Sequence, residues 1–360
     1  MSTTANSDKT GEEHDDWPMS SPTKEGLDER LLSDIGTRFQ SWVDANLHAI
    51  VVLRNGKLVY EQYFTGMDER LGSLLGRVAY DARRAHDLRS ITKSIVSTLV
   101  GIAIDKGLVP DVDTPVLSLF PEYTDLRTRE KDRITLRHLL TMSAGLAWDE
   151  TIPYSDPTNS ERRMSEASDR CRYVLEQQVI QPAGETYAYN GGLTALLAAV
   201  LTKASGCTID VFANNELFAP LGITEIEWFR YDDGTPNATS GLRMRARDLA
   251  KLGQLVLDGG LWNTRRIVSE GWIKEATSPH INGDGLFFYG FQWWLGRSLL
   301  NRTEINWIAA VGYGGQRMYI LPRLNIVVVV LAGLYDNPTL SPVVGDAILR
   351  RYVLPATETA

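Results

Sequence analysis

Alternating apolar and polar residues near both ends of the chain predict the strands of an antiparallel sheet. Residues 48–54 and 57–64 flank Asn55-Gly56, which supplies the positive φ values of a type I′ hairpin turn. Near the other end, the same alternation and a valine-rich run predict three more strands, at residues 305–310, 317–321 and 325–331. An amphipathic helix is predicted to follow over residues 342–352.

Between these ends the apolar residues recur mostly at helical spacing. The predicted helices, separated by turns at Gly184, Gly206, Gly222 and Gly234, cover residues 136–142, 169–178, 193–204, 208–217 and 246–257. We therefore predict one α+β domain over residues 26–355, with an antiparallel sheet of five or more strands flanked by helices. The sheet region spans about 26–110 and 285–355, and a mostly helical region, about 111–284, is inserted between them. A cleft is expected where the two regions meet.

Another long apolar helix is predicted to begin just after Ser90 and to end near Gly107. In Ser90-Ile91-Thr92-Lys93 a hydroxyl and an amine are three residues apart, so they share one face of that helix. This layout suits a serine nucleophile with a lysine base, and backbone N–H groups of the first turn could stabilise an oxyanion. If Lys93 lies among apolar neighbours, desolvation would lower its pKa and leave part of it neutral enough to accept the serine proton.

The Ser-x-x-Lys pattern is weak when taken alone. A helix cap at Ser90 followed by a solvated lysine is the structural alternative. A second copy, Ser21-Pro22-Thr23-Lys24, lies in a polar segment without a helix, and we predict no function for it.

Two further segments could complete a site. Residues 182–192 form a glycine-framed turn whose Tyr189 could act as a general base if a nearby ammonium lowers its pKa, although Tyr187 and Tyr189 could equally be packing aromatics. Residues 311–316 carry glycines between two predicted strands, which indicates either close backbone approach to a ligand or a plain β-bulge or hairpin corner. Such a strand edge could supply a second oxyanion N–H group.

Composition excludes several other functions. The net charge is −8 and no sustained Lys/Arg cluster occurs, which argues against nucleic-acid binding, and no apolar run is long enough to span a bilayer.

Residues 1–25 are polar, lack the features of a secretory signal and are predicted to form a disordered tail. We therefore expect a cytoplasmic protein in which Cys171 and Cys207 are free thiols. The histidines lack metal-site spacing, so ordinary roles and no metal or organic cofactor are predicted for His14, His48, His86, His138 and His280.

Taken together, the motifs resemble those of the serine β-lactamase and penicillin-binding-protein superfamily. The resemblance runs from about Trp42 to Tyr352 and is nearest to the class C-like branch, which includes esterases and 6-aminohexanoate-dimer hydrolases. The segments that carry it are residues 90–94, 139–146, the Tyr189 turn, 240–242 with 246–253, and 312–316.

The resemblance implies a role for each matching residue. Ser90 corresponds to the acylated nucleophile, Lys93 to the lysine that activates it and Tyr189 to the tyrosine of a Tyr-x-Asn element. Backbone N–H groups of Ser90 and Tyr313 would form the oxyanion hole. The further candidates for the oxyanion edge, substrate binding and the pocket wall are Gly312, Asn190, Trp148, Asp149 and Tyr154.

Two departures from the superfamily pattern narrow the expected activity. Gly191 stands at the third position of Tyr-x-Asn, and the strand edge at Val311-Gly312 has no cationic residue to hold a substrate carboxylate. We therefore predict a serine hydrolase that cleaves a small ester or amide through an acyl-enzyme, with homodimer formation left open. The alternatives are a β-lactamase or D-alanyl peptidase-like enzyme and a non-catalytic binding protein. A Ser-His-Asp hydrolase is disfavoured because residues 141–145 lack the first glycine of Gly-x-Ser-x-Gly.

Overall fold

The computed structural model describes residues 17–357, and these form fifteen strands and eleven α-helices. The strands are β1 (Leu47–Arg54), β2 (Lys57–Tyr63), β3 (Thr65–Arg70), β4 (Ser73–Ala79), β5 (His86–Asp87), β6 (Ile226–Trp228), β7 (Leu242–Met244), β8 (Leu261–Trp262), β9 (Arg265–Arg266), β10 (Ile281–Asn282), β11 (Phe288–Tyr289), β12 (Trp294–Leu300), β13 (Thr303–Gly312), β14 (Gln316–Leu321) and β15 (Ile326–Ala332). The helices are α1 (Glu29–Ser41), α2 (Ile91–Asp105), α3 (Leu136–Leu140), α4 (Ser160–Glu166), α5 (Arg170–Glu176), α6 (Gly191–Ser205), α7 (Ile209–Ala213), α8 (Ala246–Leu257), α9 (Glu270–Ala276), α10 (Val343–Ile348) and α11 (Leu354–Ala356). Short 3₁₀ and π-helical turns connect several of them.

Both ends of the chain build one antiparallel sheet, as predicted. Its eight strands lie in the order β10-β11-β12-β13-β14-β15-β1-β2, so the amino-terminal hairpin pairs with the last strand of the chain. The hairpin turn has φ values of 52° at Asn55 and 72° at Gly56, which are those of the predicted type I′ turn. The sheet is larger than the five strands that the pattern indicated because β10 to β12 extend its far edge.

Hydrophobic layers cover both faces of this sheet. On β1, Val51 and Leu53 belong to the layer that contains α2, α6 and α8, whereas Ile50 and Val52 face the layer formed with α1 and the carboxy-terminal helices. Strands β14 and β15 are consequently buried along their whole length. This two-sided burial explains why β15 is a continuous apolar run rather than an alternating one.

The side chain and backbone of Gln292 fix α2 to the helices around it. Ser94 Oγ of α2 donates to the Gln292 carbonyl oxygen at 2.6 Å, and Thr194 Oγ1 of α6 donates to Gln292 Oε1 at 2.9 Å. Gln292 Nε2 in turn donates to the Leu139 carbonyl oxygen of α3 at 3.1 Å. The helix that follows Ser90 is therefore held by buried polar contacts as well as by apolar packing.

The segment that includes residues 17–25 corrects the prediction of a disordered tail. Trp17 is only 4% exposed and packs edge to face on Trp262, with 5.7 Å between ring centroids. Met19 forms a β-bridge with Leu58, and Thr23–Glu25 is a 3₁₀ turn. The first 25 residues are polar on average, and this average did not reveal that the large side chain of Trp17 is buried in the core. The rest of the predicted tail, residues 1–16, lies outside the described residues.

Helix α1 and the β3–β4 hairpin are among the elements of the sheet region that were not predicted. Helix α1 buries Leu32, Ile35 and Phe39 on one face, and the Asp28 side chain caps it by accepting from the Arg30 N–H group at 2.9 Å. The β3–β4 hairpin forms a separate two-stranded sheet beside β1. Short strands also occur inside the region predicted to be mostly helical.

Two predictions from the sequence, on membrane-spanning segments and on the cysteine thiols, can be compared with the described residues. Within residues 17–357, no single helix is long and apolar enough to cross a membrane. The segments Gly191–Ser205 and Ile209–Leu221, bent by 76° relative to each other, satisfy that length and composition test only as a pair. Cys171 and Cys207 are both free thiols, as predicted.

Candidate active site

A cleft of about 1450 Å³ lies between the end of β13 and the helical region. Its wall contains six residues that the sequence had singled out: Ser90, Trp148, Tyr154, Tyr189, Gly312 and Tyr313. Three separate parts of the chain therefore meet at one cavity, as the motifs predicted.

Ser90 and Lys93 are in direct contact at the start of α2. Ser90 immediately precedes the helix, and Lys93, one turn later, is 1% exposed. Lys93 Nζ donates to Ser90 Oγ at 3.1 Å and to the Thr239 carbonyl oxygen at 2.9 Å. The second acceptor holds the amine in place, so the predicted i, i+3 geometry is achieved with a fixed donor.

Tyr189 joins this pair from the turn that precedes α6. Its side chain hydrogen-bonds with both Ser90 and Lys93. Lys93 Nζ also lies 5.1 Å from the centroid of the Tyr189 ring, and Trp294 stacks on the ring from 6.3 Å. The structure thus brings together the three residues that the sequence proposed as catalytic.

The surroundings of Lys93 differ from the apolar environment in which desolvation would lower its pKa. Burial by itself lowers the pKa of this amine, but the nearby Tyr189, Glu161 and Glu150 side chains favour its charged form and raise the pKa above its ordinary value. The expectation considered only desolvation, because Glu150 and Glu161 could not be located from the sequence.

The expected lowering of the Tyr189 pKa is also corrected. Burial raises the pKa of this phenol, and the Lys93 ammonium, which lowers it, does not fully compensate, while Glu150 raises it further. The net pKa is above its ordinary value, so the resting site contains a neutral phenol beside a charged amine.

Glu150 and Glu161 are site residues that sequence reasoning missed. Glu150 Oε2 accepts from Trp148 Nε1 and from the Gly191 N–H group, both at 2.7 Å. Burial, followed by the proximity of Glu161, raises the pKa of Glu150 to about 8. Glu161 accepts from Thr239 Oγ1 at 2.5 Å. The proximity of Glu150 to Trp148 in the sequence was the one available signal, and it belonged to no recognised motif.

Gly312 allows the strand edge to approach the residues just before Ser90. A Cβ atom at this position would lie 2.3 Å from the Leu88 carbonyl oxygen and 3.2 Å from Arg89 Cβ. Next along the chain, the Tyr313 hydroxyl donates to the Tyr335 carbonyl oxygen, and the residue remains 57% exposed in the cleft wall. The glycine therefore marks close backbone approach to another part of the chain, whereas the sequence had left open approach to a ligand and a plain bulge or hairpin corner.

Not every candidate wall residue contacts the cleft. Trp148 and Tyr154 line it, whereas Asn190 is 2% exposed and its Oδ1 accepts from the Leu193 N–H group at 3.3 Å. Asn190 therefore caps α6, and its predicted place in substrate binding is not supported. Asp149 is exposed and stabilises its own loop by accepting from the Thr151 N–H group at 2.9 Å.

The two other serines that occur in catalytic-type motifs are not placed to act as the nucleophile. Ser143 is 2% exposed and shares a 2.7 Å hydrogen bond with Thr141. In the second Ser-x-x-Lys copy, Ser21 Oγ accepts from the backbone N–H of Lys24 at 3.4 Å on the protein surface. Neither serine is part of the cleft wall.

Comparison with known proteins agrees with the fold and with the arrangement of motifs. The family model described as Beta-lactamase matches residues 39–349. A 6-aminohexanoate-dimer hydrolase of Paenarthrobacter ureafaciens is 27% identical over 313 residues, covering 81% of this chain and 74% of that protein. A lovastatin esterase of Penicillium rubens is 28% identical over 229 residues, covering 56% of this chain and 51% of that protein.

A solved structure shows the same fold. EstCE1, described as a hydrolase with promiscuous acyltransferase activity, superposes with a TM-score of 0.71 at 15% identity, over 89% of this chain and 97% of that one. The match of the family model over residues 39–349 establishes that the chain belongs to the Beta-lactamase family.

Proposed function

We propose that this protein is a serine hydrolase that cleaves a small ester or amide through an acyl-enzyme. The observation that carries the proposal is the 3.1 Å contact between Lys93 Nζ and Ser90 Oγ, with Tyr189 hydrogen-bonded to both side chains in the wall of a cleft. The relatives named 6-aminohexanoate-dimer hydrolase and lovastatin esterase support a hydrolase reaction.

Proton transfer is shared by Lys93 and Tyr189 in this proposal. The resting ammonium donates to Ser90 Oγ, so the active form is the one in which the site has lost a proton to solvent. Because both side chains hydrogen-bond the serine, either can then accept its proton as Oγ attacks the acyl carbon. The same proton passes to the leaving alcohol or amine. Water finally hydrolyses the Ser90 ester and regenerates the hydroxyl.

The oxyanion formed in each step needs two donors. We assign them to the backbone N–H groups of Ser90 and Tyr313. Support comes from the close approach of Gly312 to Leu88 and Arg89, which brings the end of β13 beside the start of α2.

Aromatic side chains in the cleft favour a substrate with an apolar body. The wall includes Trp148, Tyr154, Tyr187, Phe229, Tyr231 and Trp294. Flat aromatic surfaces of this kind bury apolar groups, and the same wall also carries charged side chains, such as Glu166, Arg170 and Asp232, that could orient a substrate. We therefore favour esters and amides of hydrophobic acids or alcohols.

A β-lactamase or D-alanyl peptidase activity is the alternative, and the two arginines nearest the strand edge at Gly312 and Ser90 are already engaged in other contacts. Arg317 is the cation nearest in sequence to Gly312, but its guanidinium donates to the carbonyl oxygens of Gly312 and Gln316, at 3.2 and 2.8 Å. Arg89 is paired with Glu69 and Asp87.

The cytoplasmic location and homodimer formation remain predictions from the sequence.

The test is turnover by the purified protein on p-nitrophenyl esters, short linear amides and a penicillin, with a fluorophosphonate probe to label the nucleophile. We expect ester or amide turnover, and a loss of about 10³-fold or more in Ser90→Ala together with loss of labelling. Ser21→Ala, in the surface copy of the motif, is the matched control and should behave like the unsubstituted protein. Activity retained by Ser90→Ala would refute the site. Failure of all substrates and of labelling would favour a non-catalytic binding protein.

A further inference from the structure

Three metal-ligating side chains converge outside the cleft. They are His48 on β1, Asp68 on β3 and His86 on β5, and they are 0%, 3% and 0% exposed. Because these residues are widely separated along the chain, each histidine was predicted to have an ordinary role. The three-dimensional arrangement calls for a different explanation.

The distances among the ligand atoms match those around a bound transition metal. His48 Nδ1 is 2.9 Å from His86 Nε2, and Asp68 Oδ1 is 3.8 Å from each of them. Three atoms with these separations lie on a circle of radius about 2.1 Å, which is the length of a Zn–N or Zn–O bond. An ion at the centre of this circle would lie within bonding distance of all three atoms.

Asn46 fixes the tautomer of His48. Asn46 Nδ2 donates to the carbonyl oxygens of Met67 and Gly333, at 2.8 and 2.7 Å, and Asn46 Oδ1 accepts from the Met67 N–H group at 3.0 Å. The amide therefore cannot be flipped, and its oxygen faces His48 Nε2 at 3.3 Å. His48 must carry its proton on Nε2, which leaves a lone pair on Nδ1.

His86 is fixed in the complementary way. Its Nδ1 lies 2.9 Å from the carbonyl oxygen of Asp87, so the proton is on Nδ1 and the lone pair is on Nε2. The two nitrogens that face each other at 2.9 Å are thus both acceptors in the neutral rings. Two lone pairs at this distance repel unless a cation lies between them.

The carboxylate also lacks a partner on the side that faces the histidines. Asp68 Oδ2 accepts from the Tyr80 hydroxyl, which orients the group, whereas the buried Asp68 Oδ1 has no hydrogen bond. A buried carboxylate oxygen without a donor is strongly unfavourable. Its direction, toward both acceptor nitrogens, is that of a metal ligand.

Two glycines allow the chain to close on this cluster. A Cβ atom at Gly66 would lie 2.6 Å from His48 Nε2, and one at Gly333 would lie 2.6 Å from His48 Cε1. Larger residues would push the His48 ring out of its position.

We propose that His48 Nδ1, His86 Nε2 and Asp68 Oδ1 bind a divalent transition metal, with Zn²⁺ as the preferred ion. Two imidazoles and one carboxylate are an established zinc ligand set, with a further position for a small ligand. The hydrogen bonds from His48 to Asn46 and from His86 to Asp87 are the outer contacts that orient such ligands. The ion joins β1, β3 and β5, and β5 leads directly to Ser90.

A shared proton between the two histidines is the competing explanation for their short distance. A proton shared by His48 Nδ1 and His86 Nε2 would still leave the buried Asp68 Oδ1 without a hydrogen bond, whereas a metal ion would contact all three atoms.

The test uses the full chain expressed in zinc-supplemented medium, desalted and analysed for metal by mass spectrometry. We expect about one zinc per chain, and a drop to roughly a tenth or less in Asp68→Asn and His86→Gln. His280→Gln, at an exposed histidine, is the control and should retain the metal. Far-UV circular dichroism verifies that each variant is folded.

A second measurement decides the question even if the variants do not fold. Urea unfolding of the unsubstituted protein with added Zn²⁺ should have a higher midpoint than unfolding with EDTA. Zinc retained by folded Asp68→Asn would overturn the proposal. So would an unsubstituted protein that contains no zinc and has the same midpoint in both solutions, which would leave a shared proton as the explanation.

Discussion

At the scale of single residues, charge placement governs the behaviour of the candidate site. Lys93 carries the amine that the motif supplies, but the nearby Tyr189, Glu161 and Glu150 side chains raise its pKa above the ordinary value in spite of its burial. If Lys93 or Tyr189 must lose a proton before Ser90 attacks, activity should rise with pH into the alkaline range. The sign follows from a base whose pKa is raised, since a larger fraction becomes active at higher pH.

Glu150→Gln tests this electrostatic control. Glutamine keeps an oxygen for Trp148 and Gly191 but removes a negative charge that raises the pKa of both Lys93 and Tyr189. The rising limb of the kcat/KM profile should therefore move to lower pH, measured with a p-nitrophenyl ester from neutral to strongly alkaline solution. An unchanged profile, or a shift to higher pH, would contradict this account.

The control for this experiment is Glu185→Gln. Glu185 is exposed in the same turn that carries Tyr189, so it changes the net charge equally at a solvated position. Its profile should coincide with that of the unsubstituted protein.

At the scale of elements, the end of β13 has to lie close to the start of α2. Gly312→Ala would place a Cβ atom 2.3 Å from the backbone oxygen of Leu88, and neither backbone segment can yield cheaply. The strand end should shift away from Ser90 and lower kcat/KM by on the order of 10²-fold, as expected for misplacement of oxyanion donors. Steady-state kinetics of the ester substrate measures this effect.

Gly271→Ala provides the matched control. Gly271 lies inside α9, and a Cβ atom there would meet nothing within 4 Å. This variant should keep full activity and gain up to about 1 kcal/mol of stability from helix propensity. Equal kinetics of the two alanine variants would show that close approach at Gly312 does not matter.

Periodicity predicted those elements whose structure is set by neighbouring residues in the sequence. The β1–β2 hairpin and helix α8 appear close to their expected bounds, because the turn chemistry and the apolar face are local properties. Helix α1 was missed although Asp28 caps it and Leu32, Ile35 and Phe39 form its apolar face.

The β3–β4 hairpin could not be found from alternation. Met67, Leu74 and Leu75 are exposed on it, whereas Asp68 is buried, so the usual relation between polarity and burial is reversed. The buried Asp68 is oriented by the Tyr80 hydroxyl and lies beside His48 and His86, which are far from it in the sequence.

At the scale of the whole molecule, residues before the first helix contribute to the main core. Trp17 belongs to the larger hydrophobic layer and its Nε1 donates to the Arg247 carbonyl oxygen at 3.3 Å. Trp17→Ala should therefore lower the free energy of unfolding by about 3–5 kcal/mol, the usual effect of removing a buried tryptophan. Urea unfolding followed by circular dichroism measures it.

Met19→Ala is the control from the same segment. Met19 is 55% exposed, so its truncation should change the free energy of unfolding by no more than about 0.5 kcal/mol. If both variants unfold at the same urea concentration as the unsubstituted protein, the segment around Trp17 does not stabilise the fold.

The sequence alone determined the local geometry and, through its motifs, the family and fold of this protein. The i, i+3 spacing of Ser90 and Lys93, the turn before α6 and the glycine-rich end of β13 are encoded by neighbouring residues, so they could be recognised without coordinates.

Only the tertiary structure decided the protonation states of Lys93 and Tyr189, the capping role of Asn190 and the meeting of His48, Asp68 and His86. The pKa shifts and the metal-ligand geometry depend on burial and on distances between groups far apart along the chain. Asn190 could have faced either the cleft or the helix end. The packing of the complete fold sets these properties, and no local pattern of residues contains them.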